Sequence, residues 1–135
     1  GLGPDPLAGD FDLDTFRRAL EGRRGAIKTT LMNQGVIAGI GNVYADEILF
    51  AAGVHPEART DRLSDDTISA LHGAMNRVLD RAIDARLDID RMPSSFLLPH
   101  REKGETCPKC GRRLTISKVG GRTTYHCSRH QKKRS

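Results

Sequence analysis

Residues 35–53 read GVIAGIGNVYADEILFAAG. The first half carries too much glycine to be helical, whereas NVYADEILFAA runs unbroken to Gly53. The stretch therefore predicts a tight turn that delivers the chain into a helix. Asn42 is placed to cap that helix. Gly39 and Gly41 stand at its entrance, where backbone amides can approach a phosphate and the positive end of the helix dipole faces it. Lys28, one helix earlier, can add a charge to the same phosphate. By itself the glycine turn is a weak signal. No strand precedes it, the third glycine of a dinucleotide fingerprint is missing, and GRRGAIKTT lacks the ending of a P-loop. Asp46 and Glu47 are read as lying in the first helical turn, where the helix dipole accounts for them; no catalytic residue is assigned.

Outward from this stretch the chain reads as mainly α. Asp12 caps a short helix with Leu13, Phe16 and Leu20 at helical spacing, ended near Gly22. AIKTTLMNQG is a two-turn helix with Ile27 and Leu31 inward, closed by Gly35. Ser64 caps a long helix whose apolar stripe is Ile68, Leu71, Met75, Val78, Leu79, Ala82 and Ile83, fading near Leu87, with Pro93 at the exit. The following MPSSFLLPHREKGET has no strong period. From Cys107 the pattern turns strand-like: LTISKV, then GGR, then TTYHC, a β-hairpin with Gly120 and Gly121 at its tip. The expected organisation is an entry segment over 1–10, a helical domain over 11–92, a connector over 93–104, and a small β-hairpin module with a basic tail over 105–135.

That last module carries C-x2-C-x16-C-x2-H, formed by Cys107, Cys110, Cys127 and a histidine. The spacing fits a zinc ribbon, in which two knuckles bring four ligands into one tetrahedral shell. One structural Zn2+ is expected, since so small a module needs such a staple. Two histidines compete for the fourth place. His130 repeats the spacing of the first knuckle and is preferred. His126 adjoins Cys127, and neighbouring side chains on a strand face opposite ways.

Charge is divided unevenly along the chain. Residues 101–135 carry eleven Lys/Arg against two Glu, a formal +9, while residues 1–100 stand at −4. A cationic module joined to a mildly acidic one is the footprint of a nucleic-acid binder. Aromatic residues are only 4% and Trp is absent, so the core is modest. No apolar run approaches the ~20 residues of a membrane span, and GLGPDPLAGD has no secretion signal's basic or hydrophobic region. Metal-bound thiolates suit a reducing compartment, cytoplasmic or nucleoid-associated. No interface patch is evident, which leaves a monomer as the default.

LGPDPL, the IKTTLMNQ helix, VIAGIGNVYADEILF and the CPKC…VGGRTTYHC ribbon together resemble the C-terminal half of the formamidopyrimidine-DNA glycosylase/endonuclease VIII family, over nearly the whole chain and in the right order. The resemblance implies a helix-two-turn-helix bundle followed by a zinc-finger hairpin, gripping duplex DNA at an abasic or damaged site while the lesion is flipped out. It further implies phosphate contacts by Lys28, Asn42 and, at the hairpin tip, Arg122. The family's proline nucleophile and adjoining glutamate have no counterpart in this sequence. The chain alone is therefore expected to bind and not to cut. The connector reads as short for a lesion-capping loop, which leans toward the endonuclease VIII branch. The rival reading is a non-catalytic zinc-ribbon protein that binds nucleic acid or associates with the ribosome.

Overall fold

The computed structural model describes residues 2–86 and 88–133. Four helices, α1 (Leu13–Leu20), α2 (Ile27–Met32), α3 (Asn42–Ala52) and α4 (Asp65–Asp84), precede a hairpin of β1 (Thr115–Val119) and β2 (Arg122–His126). Short 3-10 turns lie at Thr60–Arg62, Ile89–Arg91 and Leu98–His100. The architecture is the expected one, mainly α with a small antiparallel hairpin.

Local chemistry sets most boundaries. Asp12 accepts from the Thr15 N–H and Ser64 from the Thr67 N–H, each satisfying an orphan donor of the first turn. Gly53 ends α3 at φ 73°, a left-handed conformation that costs a glycine little. The hairpin turn places both Gly120 and Gly121 at positive φ, 58° and 78°, as a two-residue turn between twisted strands requires. The register runs from Thr115 opposite His126 to Val119 opposite Arg122. Ile83, expected on the buried stripe of α4, is 53% exposed. The stripe's fading near Leu87 falls outside the described residues, as do Arg134 and Ser135 of the basic tail.

α3 is the central element. Residues 45–50 are all buried, on every side of the helix. One side joins Ile27, Leu31, Ile37, Leu71 and Met75 in the main core. The other supplies Phe50 to a second cluster with Leu97, Cys107, Leu114 and Cys127. The cysteine-bearing module thus shares its core with the bundle. Lys109 of the first knuckle lies 4.8 Å above the Phe50 ring. Gln131 donates through Nε2 to the Val54 carbonyl while its Oε1 accepts from the Cys127 N–H, and the His55 N–H donates to the Lys132 carbonyl at 2.9 Å.

Two expectations on α3 need correction. Gly41, not Asn42, occupies the cap position, with no side-chain cap bond; the Asn42 amide is used elsewhere. Asp46 and Glu47 lie beyond the first turn and are buried, each 1% exposed. A carboxylate there has to be satisfied by specific donors, because the helix dipole acts only over its first turn. Glu47 accepts from the N–H groups of Leu97 (2.9 Å) and Leu98 (2.7 Å), pinning the connector to α3.

Burial pushes the Glu47 carboxyl above its ordinary value, opposed by those two N–H groups. A raised folded-state pKa gives a contribution fully present below the unfolded value and lost as pH climbs through the folded one. The stability of wild type relative to Glu47→Gln is therefore expected to fall as pH rises from about 4 toward neutrality. Thermal melts of the two proteins side by side read this directly, and a difference that grows with pH would contradict it.

Candidate nucleic-acid interface and metal centre

Between α2, α3 and β2 lies a buried cluster of charge. Lys28 Nζ is 2.7 Å from Asp46 Oδ1, with both side chains 0% exposed. It also donates to Thr124 Oγ1 at 2.7 Å and to the Thr123 carbonyl at 3.2 Å. Arg101, from the connector, donates through Nε to Asp46 Oδ2 at 3.1 Å and through Nη2 to the Thr123 carbonyl at 2.8 Å. The Tyr125 N–H donates to Asp46 Oδ2 at 3.0 Å, and Asn42 Nδ2 to the Thr123 carbonyl at 3.1 Å. The Arg101 guanidinium sits 4.9 Å over the Tyr125 ring.

Burial pulls the Lys28 ammonium below its ordinary value, and the nearby positive charges of Arg101 and Arg122 pull the same way; Asp46 opposes them. Two cations face one carboxylate, so the cluster holds an excess positive charge. Lys28 itself is committed to protein partners rather than standing at the surface. Arg101 and Asp46 were missed by sequence reasoning. The signal available was a carboxylate pair inside the apolar run NVYADEILFAA, which points to burial and hence to a cation elsewhere.

The glycine turn divides its roles. The Gly39 N–H donates to Gln34 Oε1 at 2.6 Å, so it is consumed inside the turn, contrary to the expectation of a phosphate-facing amide. Gln34 Nε2 donates to the carbonyls of Met32 and Ile40, completing a staple across the two turns. Gly41 is exposed. The first helical bond runs from the Ala45 N–H to the Gly41 carbonyl, so the amides of Asn42, Val43 and Tyr44 have no partner within the helix. Asn42 Oδ1 is buried with no hydrogen-bond partner among the described residues. Arg122 is exposed at the hairpin tip and lines a groove with Thr29, Met32, Asn33, Val119 and Gly120.

The four expected ligands come together: one donor atom from each of Cys107, Cys110, Cys127 and His130, all within 4.8 Å of one another. Cys110 and Cys127 Sγ are 3.7 Å apart. The Lys109 N–H points at Cys107 Sγ at 3.3 Å, as in a metal knuckle. A backbone N–H from Arg112 holds the Cys110 thiol below its ordinary value. His130 Nε2 is buried with no hydrogen-bond partner among the described residues, as suits a nitrogen reserved for a metal. His126 lies apart, its ring 4.5 Å from that of His55. Burial, and then His55, lower it to about 4.

With this geometry in hand, the chain can be set beside known proteins. Residues 2–92 match the family model described as "Formamidopyrimidine-DNA glycosylase H2TH domain". Formamidopyrimidine-DNA glycosylases from Streptococcus pyogenes and Bacillus subtilis are each 38% identical over 98% of the chain, and that of Shewanella amazonensis 37%. The chain spans about half the length of these curated relatives, 52% in each case. Among solved structures, the Lactococcus lactis Fpg in complex with DNA containing an abasic site superposes at TM-score 0.80 with 33% identity, covering 96% of this chain and 51% of that one. A MutM protein in complex with DNA containing carbocyclic 8-oxo-G gives 0.83 and 32%, covering 97% and 50%. The names of these relatives run against the lean toward the endonuclease VIII branch.

The metal cluster makes a distinct prediction. His130→Ala should weaken metal binding by at least about ten-fold, as expected for loss of one of four ligands, while His126→Ala leaves it unchanged. Competition with a chromogenic chelator measures both. The reverse pattern would transfer the fourth ligand to His126.

Proposed function

The chain belongs to the formamidopyrimidine-DNA glycosylase family, and on that premise we propose that it is the DNA-gripping portion of a base-excision-repair DNA glycosylase/AP lyase. In this reading it binds duplex DNA at an abasic or damaged site and holds the phosphates around a flipped nucleotide. The observation that carries the reading is the placement of Asn42, the α3 amides that have no partner within the helix, and Arg122 around one buried, net-positive cluster. Amides at a helix N-terminus and a guanidinium fork are both suited to phosphate oxygens. Gly41, with no side chain, lets a phosphate approach those amides. Lys28 acts from behind: with Arg101 it outnumbers Asp46 by one charge and supplies positive potential under the site without leaving the interior.

The ion is proposed to be zinc, in a structural role. A zinc–sulfur bond of about 2.3 Å implies sulfur–sulfur edges of about 3.8 Å in a tetrahedron, close to the observed 3.7 Å. Four protein ligands close the shell, which leaves no open position for chemistry. Three thiolates and a neutral imidazole around a dication carry one negative charge fewer than four thiolates, which favours a nearby phosphate. Residues 11–92 are proposed as the helix-two-turn-helix domain and 105–135 as the zinc-finger hairpin, joined by 93–104, acting as one monomeric unit at cytoplasmic, nucleoid-associated DNA. Base excision and strand cleavage are proposed for the whole protein, and grip for residues 1–135.

Binding of the zinc-loaded chain to a short duplex with a tetrahydrofuran abasic analogue, over a range of salt, tests this. Affinity should fall steeply with salt, and Arg122→Ala should reduce the slope of log K against log[salt] by about one. Asn42→Ala should weaken binding similarly on all sequences, because phosphate contacts carry no base information. Failure to bind, or binding insensitive to salt, would overturn the reading.

A further inference from the structure

Asp46 meets three separate parts of the chain: Lys28 on α2, Arg101 at the end of the connector and the Tyr125 N–H of β2. Two residues back along β2, the Thr123 carbonyl accepts from Lys28, Asn42 and Arg101. Along a strand, residues two apart direct their backbone groups to the same edge. Thr123 and Tyr125 therefore use the edge of β2 turned away from β1. A two-stranded hairpin exposes two such edges. Here the edge of β2 is closed by side chains, with one carboxylate taking its N–H and three donors taking its carbonyl. Arg122 is the residue immediately before this anchored pair.

We propose that Asp46 is a positioning residue for Arg122. Its carboxylate docks the outer edge of β2 onto α3 and so fixes where the GGR tip stands relative to Asn42. The proposal rests on the reading of Arg122 and Asn42 as phosphate contacts. Asp46 does not touch the ligand. It acts by holding the strand at 125 and by neutralising one of the two cations that hold it at 123. Without that charge Lys28 and Arg101 repel each other at a single carbonyl, so the strand loses its anchor at 125 and at 123 keeps only the neutral Asn42 donor undisturbed. The metal shell stays intact, because none of its ligands is a partner of Asp46. A purely structural carboxylate would lower stability without changing how much Arg122 matters; a positioning carboxylate changes both.

The test is Asp46→Asn in the full zinc-loaded chain, alone and combined with Arg122→Ala. Zinc stoichiometry should be unchanged. Amide exchange at Tyr125 should speed by about ten-fold or more relative to wild type. Duplex affinity should fall about ten-fold. In the Asp46→Asn background Arg122→Ala should cost less than half the fold-change it costs in wild type, the non-additivity expected when one residue acts through another. Unchanged exchange at Tyr125, or an Arg122→Ala effect of full size in the double variant, would overturn the proposal. If Asp46→Asn fails to fold by circular dichroism, Arg101→Gln carries the same measurements, with smaller changes in the same direction expected and a full-size Arg122→Ala effect again decisive against it. If wild type binds no duplex, the phosphate reading fails, and Tyr125 exchange alone decides whether Asp46 docks the strand.

Discussion

Burying two cations beside one carboxylate is costly unless nearly every donor finds a partner, and the cluster of Lys28, Asp46 and Arg101 is satisfied only when α2, α3, the connector and β2 are all in place. Removing one partner of a buried ion pair typically costs about 3–5 kcal/mol, because the survivor is left uncompensated. The cluster therefore acts as a condition on assembly more than as a source of net stability. It admits one placement of the hairpin against the bundle. The pairing of Lys28 and Arg101 with one carboxylate, and the position of Arg122 beside the anchored edge of β2, go with that placement.

α3 shows how one helix serves two modules. Its consecutive carboxylates hold different downstream segments: Asp46 takes the hairpin and Glu47 takes the backbone of Leu97 and Leu98. At its far end Phe50 packs into the core that surrounds the cysteines, and Gln131 ties the second knuckle to Val54. The cluster of Cys107, Cys110, Cys127 and His130 is thus fixed to the bundle by apolar contact and by hydrogen bonds to the backbone, while the edge of β2 near the hairpin tip is fixed by charge. The tip of the hairpin and its knuckles are thus held by different forces along a single helix.

What could be read from the sequence was what depends on neighbours in the chain. The caps at Asp12 and Ser64, the glycine pair at the hairpin tip and the spacing of Cys107, Cys110, Cys127 and His130 are all local patterns, and each has the expected place. Asn42 as a cap is a local inference that fails by one position: Gly41 takes the cap, and the Asn42 side chain turns its NH2 to the Thr123 carbonyl 81 residues away, its Oδ1 left without a partner among the described residues. Lys28, expected to add a charge to a phosphate, is buried against protein partners, and the Gly39 amide is taken locally by Gln34. Asp46 and Glu47 read as dipole partners because the groups that hold them lie outside the helix: Lys28 one helix upstream for Asp46, and backbone or side-chain donors 50 to 79 residues downstream for both. Periodicity also overreached at Ile83, which stands off the buried row that runs through Val78, Ala82 and Ala85.

The sequence separation of these partners has a consequence during synthesis. Asp46 is made 79 residues before Tyr125, an interval of about 4–16 s at translation rates of ~5–20 residues per second. For the first 55 residues of that interval Lys28 and Asp46 lack Arg101, and for the whole of it they lack the Tyr125 N–H of β2. The docking of β2 onto α3 is therefore the last of these contacts to become available, and it arrives with the segment that carries Cys107, Cys110, Cys127 and His130.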